Sequence, residues 1–249
     1  MSDLTKKHVL LVTGASSEVG VAIIKSIYKD YKKIYLQFRT MNPKLAELIS
    51  TMVNDGVDVT AIQADLLVDN DIDTMIKEIT DSSVIPDTIL HLPSPKLKQT
   101  HFKKENIEDF DEGYRVGVRS AVKVCQAFAP IMAKNKYGRI VFMLSDVTLN
   151  MPPKFEASYV TTKYALLGLM KSLSVEYADK GVTVNAVSPD MMETKLLSLL
   201  PEKMLELNKD NSPLDRNINV EEVVPVVKLF LSDGSEAITG QNMGITGGM

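Results

Sequence analysis

The stretch Ser158-Tyr159-Val160-Thr161-Thr162-Lys163 places a phenol and an ammonium four positions apart. On a helix that spacing stacks the two side chains on one face. An ammonium beside a phenol favours the phenolate, so Tyr159 is expected to exchange a proton near neutral pH, where an unperturbed tyrosine at about 10 does not. Ser145 upstream supplies a hydroxyl that can hold a substrate oxygen. The chemistry is that of a carbonyl/alcohol pair awaiting a hydride carrier. Surface helices carry Tyr-x-x-x-Lys pairs routinely, so the elements around these residues must decide whether a carrier has a place to bind.

Those elements alternate between two periods. Apolar runs at His8–Thr13, Ile34–Phe38, Val57–Gln63, Thr88–Leu92, Ile140–Leu144, Val182–Val187 and Gly240–Thr246 have the length of buried parallel strands. Between them, apolar residues recur at helical spacing: Val19 to Ile27, Leu45 to Val53 after Pro43, Ile72 to Ile79, and Val223 to Leu231. The segment from Ile107 to Lys134 reads as one or two long helices, interrupted or bent near Gly113 and Gly117. The pattern predicts one α/β domain, 1–249, with a Rossmann-like doubly wound parallel sheet of about seven strands and helices on both faces. Leu196 to Leu207, with Met191, Met192 and Met204 nearby, is expected to form a mobile apolar cover over the cleft, simple helix packing being the alternative.

In such a sheet ligands bind beyond the carboxyl ends of the strands. After the first strand comes Thr13-Gly14-Ala15-Ser16-Ser17-Glu18-Val19-Gly20, running straight into a helix. Glycine allows close backbone approach, and the helix start offers N–H groups and a positive dipole end to a diphosphate. A plain strand-to-helix turn is the other reading. After the second strand stands Phe38-Arg39-Thr40, with no carboxylate to hold the ribose hydroxyls of NAD. Arg39 can instead pair with a 2′-phosphate, which favours NADP(H) over NAD(H); a solvated loop arginine is the alternative. Asp65, at the end of the third strand, is placed either for the adenine side or as a helix cap.

Composition narrows the class. The chain has 249 residues, 45% hydrophobic and 24% charged, with 28 Lys+Arg against 32 Asp+Glu and a net charge of −4. No basic block points to nucleic acid and no polybasic amphipathic helix to a membrane. The lone Cys125 forms no internal disulfide, lies in an apolar helical run, and suits a reducing compartment. The apolar run Val9–Val12 is too short for a signal peptide or a membrane span, so a cytoplasmic protein is expected.

Together these residues resemble the short-chain dehydrogenase/reductase family in its compact form, from about His8 to Gly248. The resemblance is carried by Thr13-Gly14-Ala15-Ser16 with Gly20, Asp65-Leu66, Gly138-Arg139-Ile140-Val141, Ser145, Tyr159-x-x-x-Lys163, Val184-Asn185-Ala186-Val187-Ser188-Pro189, Thr194, Ile238-Thr239-Gly240-Gln241 and Gly247-Gly248. It implies an NAD(P)(H) oxidoreductase needing no metal, often a homotetramer or dimer, closest in kind to reductases of 3-oxoacyl thioesters and related carbonyls. By resemblance Tyr159 protonates the carbonyl oxygen, Lys163 tunes Tyr159 and binds the nicotinamide ribose, and Ser145 hydrogen-bonds the substrate oxygen. Gly14, Ala15, Ser16, Ser17 and Val19, with Gly20 behind them, wrap the diphosphate; Asp65 and Leu66 flank the adenine; Met192 and Thr194 meet the carboxamide.

The departures are specific. Glu18 stands where the family usually has glycine. Two like charges about 4 Å apart repel by roughly 1 kcal/mol in water and about 4 at an effective dielectric of 20, so Glu18 is expected to face solvent near the helix start, where the dipole favours it. His91-Leu92-Pro93-Ser94 replaces the usual Asn-Asn-Ala-Gly, with His91 expected to be structural, and Asp190 follows Pro189 in place of glycine. The family's fourth catalytic residue, an asparagine holding a water on the proton path to the lysine, falls at Gly117, where glycine could leave room for another water. The Ser145–Tyr159 interval is one residue longer than in many members. These departures keep open a nucleotide-binding partner or regulatory subunit without turnover. A sugar-nucleotide epimerase or dehydratase is disfavoured by the short chain beyond the sixth strand.

Overall fold

In the computed structural model, the residues described are 8–95, 97–192, 194 and 202–249. Seven strands, β1 (His8–Thr13), β2 (Tyr31–Phe38), β3 (Asp58–Gln63), β4 (Thr88–His91), β5 (Gly138–Met143), β6 (Val182–Pro189) and β7 (Asn242–Ile245), form one sheet in the order β3-β2-β1-β4-β5-β6-β7. Every neighbouring pair is parallel. Parallel strands need crossovers, and the helices supply them: α1 (Glu18–Ile27), α2 (Pro43–Asn54), α3 (Asp69–Asp81), α4 (Ile107–Gly113), α5 (Ser120–Lys134), α6 (Ala157–Glu176), α7 (Glu202–Asn211) and α8 (Val224–Leu231). The order reverses after β1, where β4 rather than β3 becomes its second neighbour. A crevice opens there at the strands' carboxyl ends.

Two cores flank the sheet. On one face Ile72 and Met75 of α3, Val124 and Phe128 of α5 and Leu166 and Met170 of α6 pack on Leu11, Ile89, Ile140 and Val184. On the other, Ile23 and Ile24 of α1, Leu45 and Met52 of α2 and Phe230 of α8 pack on Leu10, Leu36, Leu90 and Val141. Each such fully buried side chain is worth about 1.5–3 kcal/mol. The buried strands thus read as unbroken apolar runs, and the expected helices on both faces are present.

Two expectations need adjusting, and a third falls on residues outside those described. The second strand begins at Tyr31 rather than Ile34, because the buried Tyr31 pairs with His8 of β1 and Lys33 pairs with Asp58 of β3, with an ion pair between their side chains at 2.7 Å, which carries the strand through a polar stretch. The last strand is shorter than expected, Asn242–Ile245, since Gly240 adopts a left-handed φ of 69° ahead of it. The expected cover at Leu196–Leu207 lies outside the described residues except for the backbone of α7 from Glu202.

The interruption expected near Gly113 and Gly117 is a π-helical segment, Tyr114–Arg119, joining α4 to α5. Such wide turns sit inside α-helices mostly at functional sites. Here the cause is local packing against α6. A Cβ on Gly113 would come 2.5 Å from Thr162 Oγ1, and one on Gly117 would come 2.9 Å from Thr162 Cγ2. Only glycines let the two helices approach this closely.

Candidate active site

Tyr159 and Lys163 occupy the first two turns of α6, which lies across β6 and presents them at the carboxyl end of the sheet. Lys163 is 2% exposed, and its Nζ donates to the backbone oxygen of Met143 at the end of β5, at 3.0 Å. The same nitrogen lies 5.6 Å from the centre of the Tyr159 ring. Ser145, two residues beyond β5, is 8% exposed, and both Ser145 and Tyr159 border one cavity. Folding therefore brings the three residues singled out in the sequence to one place.

Their electrostatics differ from the simple pair argument. Burial pushes Tyr159 up to about 12, with Asp146 and Glu156 adding to the rise; the nearby Ser145 hydroxyl opposes it only when its proton is turned from Asp146 to the phenolate. Burial alone pulls Lys163 down to about 7. The helical spacing predicts a lowered tyrosine, but desolvation of the phenol outweighs that attraction. Cys125 is buried and burial raises its thiol to about 12, which makes it a core residue and not a nucleophile.

The cleft has three lobes. A lobe of about 650 Å³ is lined by Ser16, Ser17, Glu18, Val19, Asn42, Lys44, Leu92, Ser94, Tyr159, Lys163, Met192 and Thr194. A second, about 380 Å³, continues past Ser16 and Ser17 to Gly14, Gln37, Arg39, Thr40, Asp65 and Leu66. The third, about 400 Å³, holds Ser145, Asp146, Glu156, Asp190, Met191 and Asn208 beside Tyr159. The first two share Ser16, Ser17, Leu92 and Ser94 and form a trough from the end of β3 to the tyrosine; the third faces the tyrosine from the other side.

The loop after β1 fits an anion in part. Gly14 has φ 74°, and a Cβ there would lie 3.2 Å from the Pro93 nitrogen, so the turn requires glycine. Its N–H is already bound to Gln37 Oε1 at 2.8 Å, and the Ala15 N–H to the Gln37 carbonyl at 2.9 Å. Ala15 is fully buried and Gly20 donates its N–H to Ser17 Oγ at 3.0 Å; both shape the loop without lining the trough. Donors for a phosphate therefore start at Ser16, where α1 begins with Ser17 as its N-cap. A diphosphate fits this helix start.

Glu18 does not simply face solvent as expected. It lines the trough, its side chain is 27% exposed, and Lys44 Nζ lies 3.1 Å from its Oε1. The repulsion anticipated from the sequence is met by a cation from α2. Asp65 is no cap of α3: its Oδ1 accepts the Leu67 N–H at 3.0 Å in a tight turn, while its own N–H goes to Asp71 Oδ2. Arg39 is exposed at the rim of the second lobe, its carbonyl accepting from Gln63 Nε2 at 3.1 Å.

His91 is structural, as expected. It is fully buried, and desolvation lowers it to about 4, so it is neutral. Nε2 lies 3.0 Å from the Gly117 carbonyl, which can only accept, so that nitrogen carries the proton. Nδ1 then accepts from Thr13 Oγ1 at 2.8 Å.

Several site residues escaped the sequence reading. Gln37 was the polar break inside the apolar run Leu36-Gln37-Phe38, a signal for a side chain with buried partners. Asp146 directly follows Ser145, and Glu156 sits one helical turn before Tyr159. Lys44 carried no signal, because its partner is distant in sequence.

The fold and site define an oxidoreductase scaffold of the dinucleotide-binding kind, and the chain belongs to the short-chain dehydrogenase/reductase family: the profile described as Enoyl-(Acyl carrier protein) reductase matches residues 14–249. The chain is similar to 3-oxoacyl-[acyl-carrier-protein] reductases. It is 30% identical over 244 residues to that of Aquifex aeolicus (strain VF5), covering 97% of this chain and 96% of the relative. Against that of Staphylococcus epidermidis (strain ATCC 35984) identity is 26% over 239 residues, covering 96% and 97%. Among solved structures, gluconate 5-dehydrogenase from Burkholderia cenocepacia in complex with NADP and tartrate superposes with a TM-score of 0.87 at 20% identity, covering 97% and 94%. At that identity the likeness is one of fold.

Proposed function

We propose that the protein reduces a ketone or 3-oxoacyl group to a secondary alcohol, with NADP(H) preferred over NAD(H). The observation that carries this reading is the convergence of Ser145, Tyr159 and Lys163 on one end of a trough that begins at the α1 helix start. The dinucleotide, when bound, supplies the hydride. The chain's residues do the rest. The α1 N-terminus from Ser16 receives the diphosphate, and Asp65 and Leu66 border the adenine end. Arg39 offers a fork for a 2′-phosphate where no carboxylate competes. Met192 and Thr194 border the carboxamide end.

At the reacting carbon, Tyr159 is protonated across the neutral range, as a proton donor to a carbonyl oxygen must be. Lys163 changes charge near neutrality, so it can resupply the tyrosine's proton and hold the ribose. Leu144 and Met192 give the carbonyl an apolar wall beside Tyr159. A homo-oligomer, tetramer or dimer, working in the cytoplasm, completes the reading by family resemblance.

The test is cofactor oxidation over a panel of 3-oxoacyl thioesters, cyclic ketones and aromatic carbonyls, with NADPH and NADH side by side. Turnover with at least one class, faster with NADPH and abolished in Tyr159→Phe while cofactor still binds, is expected. Arg39→Ala is expected to weaken NADPH about tenfold and NADH little. NADPH binding without turnover on the whole panel overturns the reading.

A further inference from the structure

Ser145 has one hydroxyl proton, and in this structure that proton is committed. Ser145 Oγ lies 2.7 Å from Asp146 Oδ1, and an ionised carboxylate only accepts, so the serine donates to it. What Ser145 then turns toward Tyr159 and the third lobe is lone pairs. A ketone oxygen seated there meets a donor at Tyr159 and an acceptor at Ser145, a mismatch. An alcohol fits: its oxygen accepts from Tyr159 and its O–H donates to Ser145.

We propose that Asp146 is a positioning residue that sets the direction of the Ser145 hydroxyl, so that its protonation selects between the alcohol and carbonyl forms of the substrate. A protonated Asp146 donates to Ser145 Oγ, or stops accepting from it, and the serine proton turns to the carbonyl oxygen. The one covalent change is the O–H bond formed on Asp146, its proton taken from solvent through the open third lobe and returned there on ionisation.

The surroundings bring this protonation toward the working range. Asp146 is held above the usual carboxylate range, mainly by burial and then by the Asp190 carboxylate, while the Ser145 hydroxyl opposes the rise. The groups facing it are Asp190 at the end of β6, Glu156 just before α6, Tyr159 on α6, and the neutral Asn208 of α7; Met249 closes the rim. Glu156 is itself raised by burial, and its partner is Gln99 Nε2 at 3.2 Å. Asp190 accepts from Asn208 Nδ2 at 3.2 Å. Among the described residues no lysine or arginine forms an ion pair with any of the three carboxylates. Among the described residues no cation therefore holds Asp146 ionised, and the Asp190 carboxylate opposes its charge.

The proposal rests on the oxidoreductase reading, but its test does not need turnover. Dead-end complexes are titrated by calorimetry: ethyl acetoacetate into the protein with NADP+, and ethyl 3-hydroxybutyrate into the protein with NADPH, from about pH 5 to about pH 8. The ketone is expected to bind about tenfold tighter at the acid end, and the alcohol more weakly there. In Asp146→Asn, and in Asp146→Ala as a second variant, both trends flatten and the ketone at pH 7 binds several-fold tighter than to the parent protein. A residue with a merely structural role would weaken both ligands and leave their pH trends in place. That outcome, or parallel pH trends for ketone and alcohol in the parent protein, overturns the proposal. Absence of turnover on the carbonyl panel, with these opposite trends intact, would overturn the reductase reading alone.

Discussion

The Nε2–H of His91, at the end of β4, donates to the carbonyl oxygen of Gly117 in the π-helical turn 26 residues later, at 3.0 Å. A π turn releases a carbonyl from the regular ladder, and in this chain a histidine takes it up. The Thr13 hydroxyl completes the bridge from β1. One neutral side chain thus ties the strand carrying the nucleotide loop to the helix packed on Tyr159's own helix.

His91→Leu should leave both a hydroxyl and a carbonyl buried without partners, a loss of about 2–4 kcal/mol at pH 7. The bridge also fixes a pH dependence. The folded pKa of about 4 lies below the ordinary 6.5, so the unfolded chain takes up the proton first as the medium acidifies. The contribution is complete above about 6.5 and is lost as pH falls toward about 4. Denaturant titrations of parent and variant should therefore converge between pH 7 and pH 5. A gap that stays constant over that range would mean that His91 is not the neutral bridge described.

The position of the family's asparagine shows why a glycine stands there. Thr162 Cγ2 lies 2.9 Å from where a Cβ at residue 117 would stand, so a methyl group already crowds the position an asparagine side chain would start from. Gly117→Asn alone is expected to cost about 1–3 kcal/mol through overpacking. Thr162→Ser removes the methyl and keeps the hydroxyl that bonds the Ser158 carbonyl at 2.9 Å. The double variant should recover most of the loss in melting temperature, and equal losses in the single and double variants would refute the steric account.

Much of this molecule was legible in the sequence because short-range rules govern it. Strand and helix periods gave the seven strands and the crossovers, and Gly14 marked the loop after the first strand as a place for close backbone approach. The triad was legible because two of its members share a helix face. What stayed hidden depends on distance in sequence or on desolvation. Lys44 meets Glu18 across 26 positions. The sign of the Tyr159 shift turns on how deeply α6 seats its phenol, a property of packing that spacing does not carry. The serine's donor direction was hidden too, since a neighbouring aspartate can point either way until the turn at Asp146–Thr148 is formed.

The Lys44–Glu18 pair is expected to set the charge at the nucleotide loop. Lys44→Ala removes this cation from beside the Glu18 carboxylate, and at about 4 Å in water one such charge opposes a phosphate by roughly 1 kcal/mol. NADPH should then bind about fivefold more weakly. Adding Glu18→Gly to that background should restore affinity to near the parent value, the coupling being read as a double-mutant cycle. Independent effects, with no recovery in the double variant, would place the two side chains apart in solution.

Lys163 offers the most direct reading of the cleft's electrostatics. Burial holds it at about 7 against an ordinary 10.5, so between those values the unfolded chain carries a proton that the folded chain lacks. Stability should rise with pH across that window, the penalty for burying the charge being complete below about 7. Lys163→Met should accordingly gain stability over the parent protein below pH 7, and the gain should fade by about pH 10.5. An anionic dinucleotide in the trough supplies the counter-charge that the free site lacks. Its binding should push Lys163 back up, and complex formation near pH 8 should take up close to one proton. Calorimetry of NADPH binding in buffers of different ionisation enthalpy measures that uptake, and Lys163→Met should abolish it. Binding without uptake in the parent protein would mean that Lys163 is already charged, and the low value would then have to be abandoned along with its role as the tyrosine's proton source.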